Sequence, residues 1–145
     1  MTRTVRFGDT DAAGVIHFLQ LFRWAHESWE ESLEKYGISA SEIFPQCDSL
    51  IENPRIAFPV INCQAEFRLP IKTGDKLNIQ MITQKIDLYS FHVKTIFKRS
   101  GKDVAFSLIK HLAINTETRS RCYLPETIDR WLEASSINVG VTSLD

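Results

Sequence analysis

Hydrophobic and polar positions change rhythm twice along this chain. Residues 4–7 alternate as a short strand, and Gly8-Asp9-Thr10-Asp11-Ala12-Ala13-Gly14 breaks it with turn formers. From residue 15 to 36 the period is helical. Phe18, Leu21, Phe22, Ala25, Trp29, Leu33 and Tyr36 fall on one stripe, opposite Gln20, Arg23, Glu27, Glu30, Glu31 and Glu34. Gly37 stands where a left-handed C-cap ends such a helix. Residues 38–59, with three prolines, read as irregular. Strand-like runs then follow at 60–69, 76–86, 91–98 and 104–114. Leu77, Ile79 and Met81 alternate with Asn78 and Gln80 in the second of them. Turns are expected at 70–75 and at Ser100-Gly101-Lys102-Asp103. Residues 125–134 predict a short final helix with Pro125 in its first turn, and the small polar residues 135–145 predict a frayed tail.

Strands joined by short turns pair antiparallel, and one apolar helix stripe suffices to cover one face of their sheet. The predicted class is α+β, a curved antiparallel sheet wrapped around one long helix, as a single domain over residues 1–145. Trp24 falls off the apolar stripe, so either another subunit or the loop after the helix should cover it. Edge strands in such sheets need cover, and pairing of two copies edge to edge supplies it. A homo-oligomer, either a dimer or a tetramer of dimers, is therefore expected.

Composition removes several function classes. The 17 basic residues are scattered and net charge is -1, without the basic footprint nucleic acid requires. No apolar run reaches the length of a membrane span and no signal-peptide pattern opens the chain, so a cytoplasmic protein is expected. Cys47, Cys63 and Cys122 are widely spaced and read as reduced thiols. His17, His26, His92 and His111 show no ligand spacing with Cys or carboxylates, so no metal is expected. His92 and His111 read as structural residues of strands.

The informative stretch is residues 5–18, which sets Asp9 and Asp11 in a glycine-flanked loop just before a helix. The first N–H groups of a helix have no internal partners, and the dipole there favours negative charge. Those amides are able to polarise a carbonyl, and a carboxylate in the preceding loop is able to attack it or to activate water. The plainer reading, that either Asp is only a cap, stands beside it.

The segment Arg6-Phe7-Gly8-Asp9-Thr10-Asp11-Ala12-Ala13-Gly14-Val15 resembles the N-terminal motif of the 4-hydroxybenzoyl-CoA thioesterase family. The likeness continues at Phe22-Arg23-Trp24, at Phe58-Pro59-Val60 through Phe67, and at the 70–75 turn. It implies a hot-dog fold and hydrolysis of an acyl-CoA substrate to acid and free CoA, with no separate cofactor. Asp11 matches the family's catalytic carboxylate and the Phe18 N–H the group that polarises the thioester carbonyl, while Asp9 shapes the loop. His17, His26, Pro59 and Val60 are the candidates to contact the acyl group; His17 otherwise only helps close the loop, and His26 otherwise bonds a neighbour on the helix flank. Two departures matter. The benzoyl enzyme has an acid where His26 stands, which points to a different hydroxylated aromatic acyl group. It also has a basic cluster for the CoA phosphates where this chain has Asp87-Leu88-Tyr89-Ser90. Only Ser90 agrees there, leaving Lys85, Lys98, Arg119 and Arg121 as candidate cations. Rival readings are a fatty acyl-CoA or acyl carrier protein thioesterase, a dehydratase on the same fold, a non-catalytic acyl-CoA binding module and a structural dimerisation domain.

Overall fold

The computed structural model describes residues 1–45, 50 and 52–142. Cys47 and the end of the tail lie outside the described residues. Five strands form one antiparallel sheet: β1 (Thr2–Thr4), β3 (Val60–Phe67), β4 (Lys76–Lys85), β5 (Ser90–Arg99) and β6 (Lys102–Leu112), in the order β1-β4-β5-β6-β3. The strands are thus antiparallel as expected, but only β4, β5 and β6 meander. β3 lies beyond β6 at the far edge, because Val60–Phe67 pairs with β6 and the chain then crosses over to β4. A small second sheet joins β2 (Ile56–Ala57) to β7 (Ile114–Asn115). It and α2 (Ala40–Ile43) occupy part of the stretch expected to be irregular. Short elements of two to four residues leave no readable period.

The helix α1 (Phe18–Tyr36) starts three residues later than its periodicity predicts. A bridge between Thr10 and Ile16 holds the preceding residues extended. Its far end closes as a Schellman motif: Gly37 is left-handed (φ 102°), its N–H bonds Glu34 O, and Ile38 N–H bonds Leu33 O. The buried stripe is Leu21, Trp24, Ala25, Ser28, Trp29 and Leu33. Trp24 is therefore covered inside its own protomer, packed with Val5, Ile16 and Ile71 in the first core cluster, rather than by another subunit or the loop after the helix. Phe18 and Tyr36, at the two ends of the predicted stripe, are exposed.

Alternation along β4 and β5 turns Leu77, Ile79, Phe91, Val93 and Phe97 inward under α1. Each such side chain contributes roughly 1.5–3 kcal/mol by leaving water. The final helix α3 (Glu126–Thr142) runs eight residues past the predicted end at 134, and sinks Ile128, Trp131 and Leu132 into a second cluster with Trp29 and Phe91. Sheet cover is thus shared by two helices. The hairpin between β5 and β6 turns at Ser100 and Gly101, both with positive φ. Among the described residues, no helix is long and apolar enough to cross a membrane.

His111 is 1% exposed, lying between the rings of Trp29 and Phe91 with its Nδ1 2.9 Å from Phe58 O. Burial pushes its pKa down to about 4, against the pull of the Phe58 carbonyl. The folded protein thus holds His111 neutral while the unfolded chain takes up a proton below the ordinary histidine value of 6.5. Stability should fall as pH drops from 6.5 toward 4, by an amount of order 3 kcal/mol. Urea unfolding across that window should show the slope in the native protein and a much flatter one in His111→Leu.

Candidate active site

The residues before α1 fold back on themselves as a closed loop. Asp11 N–H donates to Val15 O at 2.9 Å and Gly14 N–H to Asp11 O at 3.0 Å, with Gly14 at a φ of 76° that few other residues adopt. Ile16 N–H bonds Ile71 O at 2.8 Å, and His17 N–H bonds Asp9 O at 2.8 Å, so the loop is pinned to the 70–75 turn and to itself. That turn is held in place by Gly74 N–H on Val5 O and Val5 N–H on Asp75 O.

Asp9 and Asp11 divide the work. Asp9 Oδ2 accepts Arg6 N–H at 2.7 Å and shapes the loop. Asp11 Oδ1 accepts Ala13 N–H at 2.8 Å, while Oδ2 has no hydrogen bond among the described residues. Asp11 is thus both a turn former and an exposed carboxylate with one oxygen to offer. His17 is the N-cap of α1. Its carbonyl accepts Gln20 N–H at 3.0 Å and its Nδ1 accepts Leu19 N–H at 3.2 Å. The N–H of Phe18 is left without a hydrogen bond among the described residues, as helix geometry dictates for a first amide with no cap of its own.

Asp11 and Phe18 open onto one recess of about 440 Å³. Its walls are mostly apolar: Val15, Ile16, Phe67, Leu69, Pro70 and Ile71, with Arg68 at one side. Sequence reading assigned none of these wall residues to the site, Arg68 included. The Arg68 guanidinium lies 4.3 Å from the Phe106 ring centroid and bonds Glu66. Loop and helix thus bring Asp11, with one carboxylate oxygen unbonded, and Phe18, whose amide is unbonded among the described residues, to the walls of one small cavity. That pairing suits attack on a polarised carbonyl.

The other expected contacts lie elsewhere in the protomer. His26 is eight positions along α1 from Phe18, about 12 Å by the rise of the helix. Its Nδ1 is 2.8 Å from Glu30 Oε1, and its ring meets Trp29 edge-on. Pro59 and Val60 are at the opposite end of β3 from Phe67, about 23 Å away. Ser90 is buried and its hydroxyl donates to Asp87 Oδ1 at 2.9 Å, so it faces its own turn. Lys85 pairs with Asp129 and Lys98 with Asp103. Arg119 and Arg121 make no ion pair among the described residues, and the Arg121 guanidinium lies 4.3 Å from the Tyr89 ring centroid. Tyr89 in turn stacks on the exposed Tyr123, with centroids 5.3 Å apart. His92 is half-buried on the outer sheet face, its pKa lowered by burial and by Lys110. Among the described residues no group of three or more His, Cys, Asp or Glu side chains converges as a metal site.

Residues 5–132 match the model of the Thioesterase-like superfamily. The chain is 55% identical over 137 residues to a 1,4-dihydroxy-2-naphthoyl-CoA hydrolase of Prochlorococcus marinus strain MIT 9313, covering 94% of this chain and 91% of the relative. It is 49% identical over 144 residues to the protein of that name from another strain of Prochlorococcus marinus, covering 99% and 93%. Among solved structures, a 1,4-dihydroxy-2-naphthoyl-CoA thioesterase from Synechocystis superimposes with a TM-score of 0.78 at 23% identity, over 91% of this chain and 93% of that one. That likeness is one of fold, and the fold is the hot-dog. The long helix in its antiparallel sheet and the match over nearly the whole chain lead to one assignment: this protein belongs to the Thioesterase-like superfamily.

Proposed function

We propose that the chain hydrolyses 1,4-dihydroxy-2-naphthoyl-CoA to 1,4-dihydroxy-2-naphthoate and free CoA. The observation that carries this reading is the shared recess of Asp11 and the orphan Phe18 amide. The names of the relatives at about half identity supply the acyl group. In this reading the thioester carbonyl oxygen accepts the Phe18 N–H. The Asp11 carboxylate either attacks the carbonyl carbon or takes a proton from an attacking water. The tetrahedral intermediate collapses with loss of the CoA thiolate, which leaves as thiol once protonated; where Asp11 has attacked, water then hydrolyses the mixed anhydride, releasing the acid and restoring the carboxylate. Water supplies the oxygen of the product acid, and CoA arrives as part of the substrate, so the reaction needs no further cofactor. The free thiols of Cys63 and Cys122 suit a reducing cytoplasm.

The active unit in this proposal is a homodimer, alone or paired again as a tetramer. β3 is an edge strand whose eight residues are all exposed, Ile61 at 49% and Phe67 at 43%. A long apolar edge of this kind calls for a partner strand. Antiparallel pairing of β3 with its own copy sets the Val60 end of one protomer against the Phe67 end of the other. Pro59 and Val60 then approach the partner's recess, as their expected contact with the acyl group requires. The Tyr89–Arg121 surface comes with them, because Leu112 N–H bonds Pro59 O and Ser90 pairs with Leu112. Arg121 rather than Ser90 is then the group offered to the CoA phosphates.

Release of free thiol from dihydroxynaphthoyl-CoA, 4-hydroxybenzoyl-CoA and palmitoyl-CoA tests the substrate. The naphthoyl ester should be strongly preferred, and a preference for palmitoyl-CoA would move the reading to a fatty acyl enzyme. Asp11→Asn should lower kcat by about a hundred-fold or more, and undiminished turnover would remove Asp11 from the mechanism. Cys63 lies near the middle of β3, so Cys63→Glu should set like charges together across the two-fold axis. Sedimentation velocity should show the native assembly split to protomers with loss of activity, and fully active protomers would refute the shared site. Arg121→Ala should raise KM for the CoA ester by about ten-fold while leaving turnover of a pantetheine thioester without the nucleotide unchanged.

A further inference from the structure

An N-cap is ordinarily Ser, Thr, Asp or Asn, whose short side chain takes one of the free amides of the first turn. Here an imidazole does it. Three interactions hold His17 at once: its N–H on Asp9 O, its carbonyl on Gln20 N–H, and its Nδ1 on Leu19 N–H. Its ring also stacks on Phe18, with centroids 4.6 Å apart and planes 28° from parallel. An imidazole that accepts at Nδ1 carries its ring proton on Nε2. Of the first three amides of α1, those of Leu19 and Gln20 are thereby occupied. The amide between them and the Asp11 loop, that of Phe18, is the one left over.

We infer that His17 is a positioning residue for thioester hydrolysis. By occupying Leu19 N–H and bracing the Phe18 ring, it holds the first turn of α1 and fixes where the free Phe18 amide lies relative to the Asp11 carboxylate. The inference rests on the proposed use of Phe18 N–H by the thioester carbonyl. Without the acceptor, Leu19 N–H loses its partner, the first turn loosens and the Phe18 amide shifts. The ester carbon then sits off the line of attack from Asp11. Displacements of this size cost catalysis more than binding, because the donor matters most where charge develops on the oxygen.

Two substitutions separate the roles of the side chain. His17→Asn keeps an acceptor at capping reach and removes the ring, whereas His17→Phe keeps a ring to stack on Phe18 and removes the acceptor. Amide hydrogen exchange reads the cap without any substrate: the Leu19 amide should be protected in the native protein and in His17→Asn, and should exchange at least ten-fold faster in His17→Phe. With dihydroxynaphthoyl-CoA, kcat should fall roughly ten- to hundred-fold in His17→Phe with KM little changed, and should stay near the native value in His17→Asn. Equal Leu19 exchange in the native protein and His17→Phe would overturn the inference, as would native kcat in His17→Phe. It would also fall if His17→Asn were as impaired as His17→Phe, since the imidazole would then act through Nε2–H rather than as a cap. A native enzyme that releases no thiol from any ester, yet shows the cap by exchange, would instead defeat the proposed hydrolysis.

Discussion

The N–H groups that open α1 have no acceptors within the helix, and the chain must dispose of them or leave them to a ligand. It satisfies two and leaves one. That outcome depends on residue 17 being extended, so that its carbonyl and its imidazole both face the first turn. Residue 17 is extended because the loop before it is closed by the Thr10–Ile16 bridge and anchored by Ile16 N–H on Ile71 O. A handful of backbone hydrogen bonds thus decides where a carboxylate oxygen and a free amide meet.

Packing decides where that meeting point lies in the molecule. Leu21, Trp24 and Ala25 join Leu77 and Phe97 in the first core cluster, which aims the start of α1 at the Phe67 end of the sheet. The recess therefore forms on the border between the covered core and the uncovered edge strand, and Phe67, the last residue of β3, makes one of its walls with Arg68 and Leu69 beyond it. The exposed edge strand and the recess share Phe67, which is what links assembly to activity in the proposed function. In the proposed dimer this would give Pro59, Val60 and Arg121 a route to the chemistry.

Much of this was legible in one sequence. Helical spacing from Phe18 to Leu33, alternation through β4, β5 and β6, Gly37 as a left-handed cap and the turn at Ser100-Gly101 are local signals, and the structure follows them. Asp9 as a loop former was also readable, because capping chemistry is local. Trp24 was misread because a stripe drawn from the most apolar residues ignores the buried Ser28 beside which it lies. The continuation of α3 to Thr142 was missed because residues 135–142 are mostly small or polar, and propensity alone seldom predicts a helix there. Ser90 kept its identity but not its availability, since Asp87, in the turn just before it, takes its hydroxyl.

The sequence by itself determined the class of fold, through periodicity, and the family, through the resemblance of one contiguous loop that also singles out Asp11 for the proposed chemistry. Tertiary structure alone decided the strand order that leaves β3 at the edge, the choice of Phe18 as the unpaired amide, and the distance that keeps His26, Pro59 and Ser90 from Asp11 within one protomer. The physical reason is the same throughout. A local pattern specifies which faces are apolar and which residues turn the chain. Which strand is left without a neighbour, and which polar group without a partner, is settled only when every other group has found its own.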